Sequence, residues 1–243
     1  MIRTASIADT VQRQVADLPE GNVFLIMVAE GQSELAYFKA LSRMVQAGKL
    51  VRIEKGKYYK PKNTRFGVLR PSEAEIIKTL IQRGGKPVGY ITGNTLYNQW
   101  GLTTQVPSVL TVARRSRLPE KELSGYKVKF VVRAFTFKED DIPMLQILDA
   151  LTDIRKIPDA SPVTIIPILA DRINAFQPKK CLRMIALATE YPPATRALLG
   201  ALLETYFPTQ PIDQLRSSLN TLTKYRLKGI EAVLPNSSKW HFI

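Results

Sequence analysis

The sequence predicts an α/β (α+β) protein: an N-terminal winged helix-turn-helix followed by a mixed α/β domain with several C-terminal helices. Three observations carry that prediction. A helix pattern beginning near Gln32 runs straight into two short basic strands that close at Pro61. Beyond that module, segments with apolar residues at helical spacing recur to the end of the chain, with β-rich segments at Ser108 to Ala113 and Lys127 to Arg133. The 243 residues are 45% apolar, enough for a sizeable core and against disorder over most of the length.

The first element is Ser6 to Leu18, where Ile7, Val11, Val15 and Leu18 form a helical stripe that stops before Pro19 and Gly21. Asn22 to Val28, NVFLIMV, is a continuous apolar run, too short for a bilayer and expected to lie beneath the next helix. Glu30, Gly31 and Gln32 are expected to form the turn of a helix-turn-helix. In the helix that follows, Leu35, Phe38, Leu41, Met44 and Val45 are expected on the inward side with Tyr37 at its edge. Gln32, Ala36, Lys39 and Arg43 then face outward. Ser33 is the expected N-cap and Gly48 the left-handed C-terminal cap. Leu50 to Ile53 and Lys57 to Lys60 read as two strands around Glu54, Lys55 and Gly56, a short Gly-containing hairpin.

Charge gives this module its expected partner. Between Lys39 and Arg65 there are nine basic side chains against one acid, Glu54, a net of +8 within a chain of +14. A helix with small and polar residues outward beside an ammonium-rich hairpin suits base edges and phosphates together. The expected double-stranded DNA-binding residues are therefore Gln32, Ser33, Ala36, Lys39 and Arg43 on the helix, with Lys55 and Lys57 on the wing. An ordinary solvated basic face is the competing reading of the same charges.

The segment Lys60 to Pro71, KPKNTRFGVLRP, has two prolines, a glycine and no helical period, which places a domain boundary there: 1–65 and 66–243. Beyond it, Glu73 to Ile81 is a helix capped by Ser72, with Ile76, Ile77, Leu80 and Ile81 on one stripe. Thr92 to Trp100 is a short helix stopped by Gly101. Ser108 to Ala113 and Lys127 to Arg133 are β-rich. Pro143 to Ile157, Val163 to Phe176, Lys179 to Thr189 and Pro193 to Tyr206 are helices. A second basic patch, Arg114, Arg115, Arg117, Lys121, Lys127, Lys129 and Arg133, stands against Glu120 and Glu122, a net of +5. It reads either as an added phosphate-contacting surface or as a solvated loop between strands, with Lys127 and Lys129 sharing the outer face of theirs.

The stretch FKALSRMVQAGKLVRIEKGKYYKP resembles the winged-helix segment of AbiEi-type antitoxins of bacterial type IV toxin-antitoxin systems. GYITGNTLYNQWGLTTQVP, from Gly89 to Pro107, is similar to a helix-Gly-Leu-Thr element of that family's second domain, and Ser218 to Trp240 resembles its C-terminal end. The resemblance implies a transcriptional repressor whose winged helix holds the operator, and a second domain that counters a nucleotidyltransferase-like toxin without a stable complex.

Catalytic constellations are scarce. The single histidine, His241, stands three residues from the end and is expected to be an exposed polar residue, leaving Ser/His/Asp and Cys/His arrangements without a base. One Cys and one His do not make a zinc site, and Gly84, Gly85, Gly89 and Gly93 lack the frame of a P-loop or dinucleotide fingerprint. Glu139, Asp140, Asp141, Asp149 and Asp153 lie close enough in sequence to suggest a Mg²⁺ site, but Lys138, Arg155 and Lys156 surround them and no nuclease pattern forms. No cofactor, metal or catalytic residue is expected. A nucleic-acid-modifying enzyme targeted by the winged helix, and a protein-interaction module, stay open as alternatives. The lone Cys181 and the absence of a signal-like N-terminus favour a reducing cytoplasm, and no apolar run suggests a membrane span.

Overall fold

The computed structural model describes residues 6–25, 28 and 33–243. The chain divides into two compact units, Met1–Arg83 with Lys121–Lys127, and Gly84–Glu120 with Val128–Ile243.

In the first unit, α1 (Ile7–Ala16) begins at Ser6, whose hydroxyl accepts the Asp9 N–H at 3.2 Å while the Asp9 carboxylate accepts the Ser6 N–H, also at 3.2 Å. This reciprocal cap satisfies two otherwise orphaned donors. Val11 and Val15 are buried, and Ile7 and Leu18 flank them as the spacing predicts. After β1 (Val23–Leu25) comes α2 (Glu34–Gln46), then β2 (Val51–Glu54) and β3 (Lys57–Tyr59). The three strands form an antiparallel sheet in the order β1-β3-β2, with Tyr59 opposite both Val23 and Val51. The expected hairpin is present, its turn made by Lys55 and Gly56, the latter at φ +79°. Glu54 belongs to the strand instead, because a register shift between Arg52 and Glu54 lengthens β2.

Two expectations change in this unit. Leu25 is exposed, so the apolar run is in part an edge strand rather than a buried core segment, while Phe24 stacks on Tyr58 at 6.5 Å. Ile26, Met27 and the expected turn Glu30–Gln32 lie outside the described residues. The proposed linker holds a hairpin of its own, β4 (Lys62–Thr64) and β5 (Gly67–Leu69), paired from Lys62↔Leu69 to Thr64↔Gly67. Next, α3 (Glu73–Ile81) starts at Ser72 and buries Ile76 and Leu80. Its Glu75 carboxylate accepts the Val23 N–H at 2.9 Å, capping the open edge of β1. That bond binds α3 into the first unit, and the division accordingly falls after β6 (Gln82–Arg83) and not at residue 65.

The second unit starts with β7 (Lys86–Pro87), β8 (Gly89–Thr92) and α4 (Gly93–Gln99). Then come β9 (Val109–Arg114), β10 (Lys121–Leu123, grouped with the first unit) and β11 (Tyr126–Val132). Within the second unit the sheet runs β11-β9-β8, and β8 pairs antiparallel with β9 from Gly89↔Arg114 to Thr92↔Thr111. Helices follow to the end: α5 (Ile142–Thr152), α6 (Pro162–Asn174), α7 (Pro178–Ala188), α8 (Pro193–Tyr206) and the short α9 (Asp213–Ser217). Four of them carry proline in the first turn, where the missing N–H costs nothing. The apolar helix α5 is central, packing on β8, α4, α7 and α8. It ends at Thr152, not Ile157, because the Asp153 and Lys156 amides turn back to Asp149 and Asp153. Trp240, fully buried, donates its indole N–H to Glu204 on α8 at 2.7 Å. His241 is half-buried rather than exposed, and its carbonyl accepts the Tyr225 N–H at 2.8 Å. Among the described residues no helix is long and apolar enough to cross a membrane.

Candidate nucleic-acid interface

The second helix is held at both ends and on one side. The Ser33 hydroxyl accepts the Ala36 N–H at 3.4 Å, as expected of an N-cap. At the other end Gly48, φ +69°, donates to Val45 at 3.0 Å and Lys49 to Met44 at 2.9 Å, a Schellman closure. Tyr37, Ala40 and Leu41 are buried against Val11 and Val15 of α1, with Met44 and Val45 packed beside them. The Tyr37 hydroxyl donates to Gln14 at 2.6 Å, and its burial raises the phenol pKa.

This anchoring corrects the expected face. Leu35 and Phe38 are 67% and 39% exposed, on the outside. At about 100° per residue, Leu35 stands roughly 120° from Leu41, so the two do not share a stripe once Tyr37 and Ala40 set the buried side. The outward face is Leu35, Phe38, Lys39, Ser42, Arg43 and Gln46, all exposed. Of the expected contacts, Lys39 and Arg43 are on it, Ala36 sits half-buried at its margin, and Ser33 is exposed at the helix start. Gln32 lies outside the described residues.

On the wing, Lys55 is exposed at the turn. Lys57 is not available as expected: its side chain is 13% exposed, pairs with Glu54 and donates to the Thr79 carbonyl at 3.2 Å. The reason is a polar cluster around Glu54, whose other oxygen takes Lys121 at 2.7 Å. Partial burial pushes the Glu54 carboxyl up, yet the hydrogen bonds from Lys121 and Lys57 outweigh it and leave the pKa lowered. Lys60 also works internally, donating to the Ala16 and Leu18 carbonyls at 3.0 and 3.4 Å at the end of α1.

The second basic patch disperses. Lys121 serves Glu54, and Arg133 is drawn to a fully buried carboxylate, Asp149, through Nε at 2.9 Å and Nη2 at 2.6 Å. Arg115, Arg117, Lys127 and Lys129 are exposed, and Arg114 is half-buried. Lys127 and Lys129 flank buried Val128, as the alternation predicts.

Asp149 is also the hub of a polar network the sequence did not reveal. Thr92 donates to it at 2.7 Å and Tyr191 at 2.9 Å. Tyr97 donates to Asp153 at 3.0 Å, and Lys156 pairs with the same carboxylate at 3.0 Å. Burial, then the Asp149 charge, raises the pKa of Tyr191, while burial and the Asp153 charge raise that of Tyr97. Arg133 is penalised by burial but held above its ordinary value by Asp149. A cleft of about 600 Å³ opens beside this network, lined among others by Tyr97, Thr111, Lys129, Arg133, Asp153 and Lys156. Asp149 and Asp153 are thus committed to internal donors, and among the described residues no group of three or more His, Cys, Asp or Glu is placed to hold a metal.

The β4–β5 hairpin is the surface feature that the linker reading missed. Its Phe66 is 86% exposed at the turn, with the Arg65 guanidinium 4.8 Å from the ring centre. Thr64 fixes that turn, accepting the Phe66 N–H at 3.2 Å and donating to the Gly67 carbonyl at 2.8 Å. Its signal in the sequence is the Thr-Arg-Phe-Gly turn between Asn63 and Val68, bounded by Pro61 and Pro71.

Fold and surface together define an α+β protein whose first unit sets an exposed, basic helix face beside a hairpin. The chain belongs to a family of unknown function, DUF6088, which matches residues 10–152. A crystal structure of the RV2827C protein from Mycobacterium tuberculosis shares the fold, with a TM-score of 0.53 and 13% identity over 92% of this chain and 86% of that one. No curated protein matches.

Proposed function

We propose that this protein is a DNA-binding transcriptional repressor whose first unit binds operator DNA through α2 and the β2–β3 wing. The carrying observation is the outward face of α2, where Lys39, Ser42 and Arg43 are exposed on a helix fixed at both caps, beside a wing with Lys55 at its turn. An exposed helix of this kind fits the major groove while the cations along its edge and on the wing meet phosphates. The resemblance to AbiEi-type antitoxins extends the proposal: the repressor is the antitoxin of a type IV system, with the second unit opposing a nucleotidyltransferase-like toxin. It acts in the cytoplasm, without a catalytic site.

Titration of the full chain into duplex DNA at several salt concentrations tests the first part. Affinity that falls steeply as salt rises is expected, and a salt-insensitive or absent signal overturns it. Arg43→Ala is expected to weaken specific binding more than non-specific binding by about 1–3 kcal/mol if the guanidinium reads a base. Equal loss on both sequences makes it a phosphate contact. For the antitoxin part, co-expression with a neighbouring nucleotidyltransferase-like gene is expected to restore growth, and continued growth arrest refutes it.

A further inference from the structure

The outward side of α2 carries two large apolar side chains among its cations. Leu35 is 67% exposed and Phe38 is 39% exposed, although the core under this helix is already filled by Tyr37, Ala40 and Leu41. With about 100° per residue, Leu35, Phe38, Lys39, Ser42 and Arg43 share an arc of roughly 140°, Leu35 and Ser42 near its middle. The face therefore has Leu35 near its middle, Phe38 at one edge, and Lys39 and Arg43 toward the other. Its own helix has one acid, Glu34, at the first turn, and Lys55 to Ser72 contains none.

What covers such a face is set by its charge. A protein surface complementary to it would need an apolar patch with an acidic rim. A DNA groove supplies phosphates on both sides by construction, and the major groove is about 12 Å wide, enough for one helix. Its floor is polar except for one group, the C5-methyl of thymine, which is the apolar feature a leucine or phenylalanine side chain reads there.

Resting on the DNA-binding reading above, we propose that Leu35 and Phe38 read thymine methyl groups in the major groove. Lys39 and Arg43 hold the adjoining phosphate or guanine edge. The operator accordingly carries thymines under these two side chains. Three residues of helix rise about 4.5 Å, so the two thymines lie one or two base steps apart.

The test uses the full chain and a duplex chosen by it from random sequence. Each thymine is then replaced in turn by deoxyuridine, which removes only the methyl group. The expected result is a loss of roughly three- to tenfold at two positions one or two base steps apart, the scale of one buried methyl. Leu35→Ala is expected to abolish the difference between thymine and uracil at one position and Phe38→Ala at the other, with the salt dependence unchanged. Both side chains are exposed, so the variants are expected to keep the parent melting temperature. Uracil tolerated everywhere, or a penalty that survives in both variants, overturns the proposal while leaving DNA binding intact. A change in sedimentation mass on Leu35→Ala or Phe38→Ala, at unchanged DNA affinity, overturns it in favour of contact between copies. No duplex enriched at all overturns the DNA-binding reading itself.

Discussion

Asp149 illustrates how a single residue changes meaning between sequence and structure. In the sequence it is one of five clustered acids with a metal site as one reading; in the fold it is a fully buried anion held by Arg133, Thr92 and Tyr191. Removing one partner of a buried ion pair leaves the other uncompensated, which costs about 3–5 kcal/mol. Asp149→Ala is therefore expected to lose stability on that scale in urea unfolding, and Asp149→Ala with Arg133→Met to recover part of it. Asp141 gives a pH signature instead. The hydrogen bonds from Arg183, at 2.8 Å to each carboxylate oxygen, lower its pKa below the ordinary 3.8. A depressed carboxyl contributes stability that is present above its unfolded value and lost as pH falls through the folded one. Thermal melts of Arg183→Gln are thus expected to lie below wild type at pH 7, with the gap closing below about pH 4. A gap that persists in acid would assign Arg183 a packing role.

Elements were legible where a stop signal coincided with a period. The helices α1, α3, α4, α7 and α8 fall within a residue or two of their expected ends, because Ser6, Ser72, Gly101 and the proline before each late helix are local instructions. The phase of α2 was not legible: six apolar side chains spread over about half its circumference, and only the partner α1 decides that Tyr37 and Ala40 go in while Leu35 goes out. Lys57 differs from expectation for a similar reason, and Lys60 in the same basic window behaves alike, since their acceptors on Thr79, Ala16 and Leu18 are brought to them by the fold. Two glycines separate the local from the tertiary cause by experiment. Gly48→Ala meets nothing within 4 Å and pays only for its left-handed φ of +69°, so a loss of about 1–2 kcal/mol is expected. Gly200→Ala keeps a helical backbone but places its Cβ in the Trp240 ring, so a loss of about 1–3 kcal/mol comes with altered tryptophan fluorescence. Equal fluorescence in both variants would refute the steric account.

At the scale of the whole molecule, net charge overstates what DNA can use. The chain is +14, and the window from Lys39 to Arg65 holds nine basic side chains. Lys57 and Lys60 are spent on carbonyls and Glu54, so seven remain exposed there: Lys39, Arg43, Lys49, Arg52, Lys55, Lys62 and Arg65. Each phosphate neutralised contributes about 0.9 to the slope of log affinity against log salt, so these seven set a ceiling of about 6 per bound chain. Lys55→Ala is expected to reduce the measured slope by about 1 with little change in sequence preference, whereas Lys57→Ala leaves the slope and lowers the melting temperature. A slope above about 6 would require cations beyond the window, and Arg115, Arg117, Lys127 and Lys129 of the second basic patch are exposed. Their combined replacement by alanine is then expected to bring the slope back under that ceiling; a slope that stays high would move the added contacts to other exposed cations, such as Arg70, Lys78, Arg83 and Lys86.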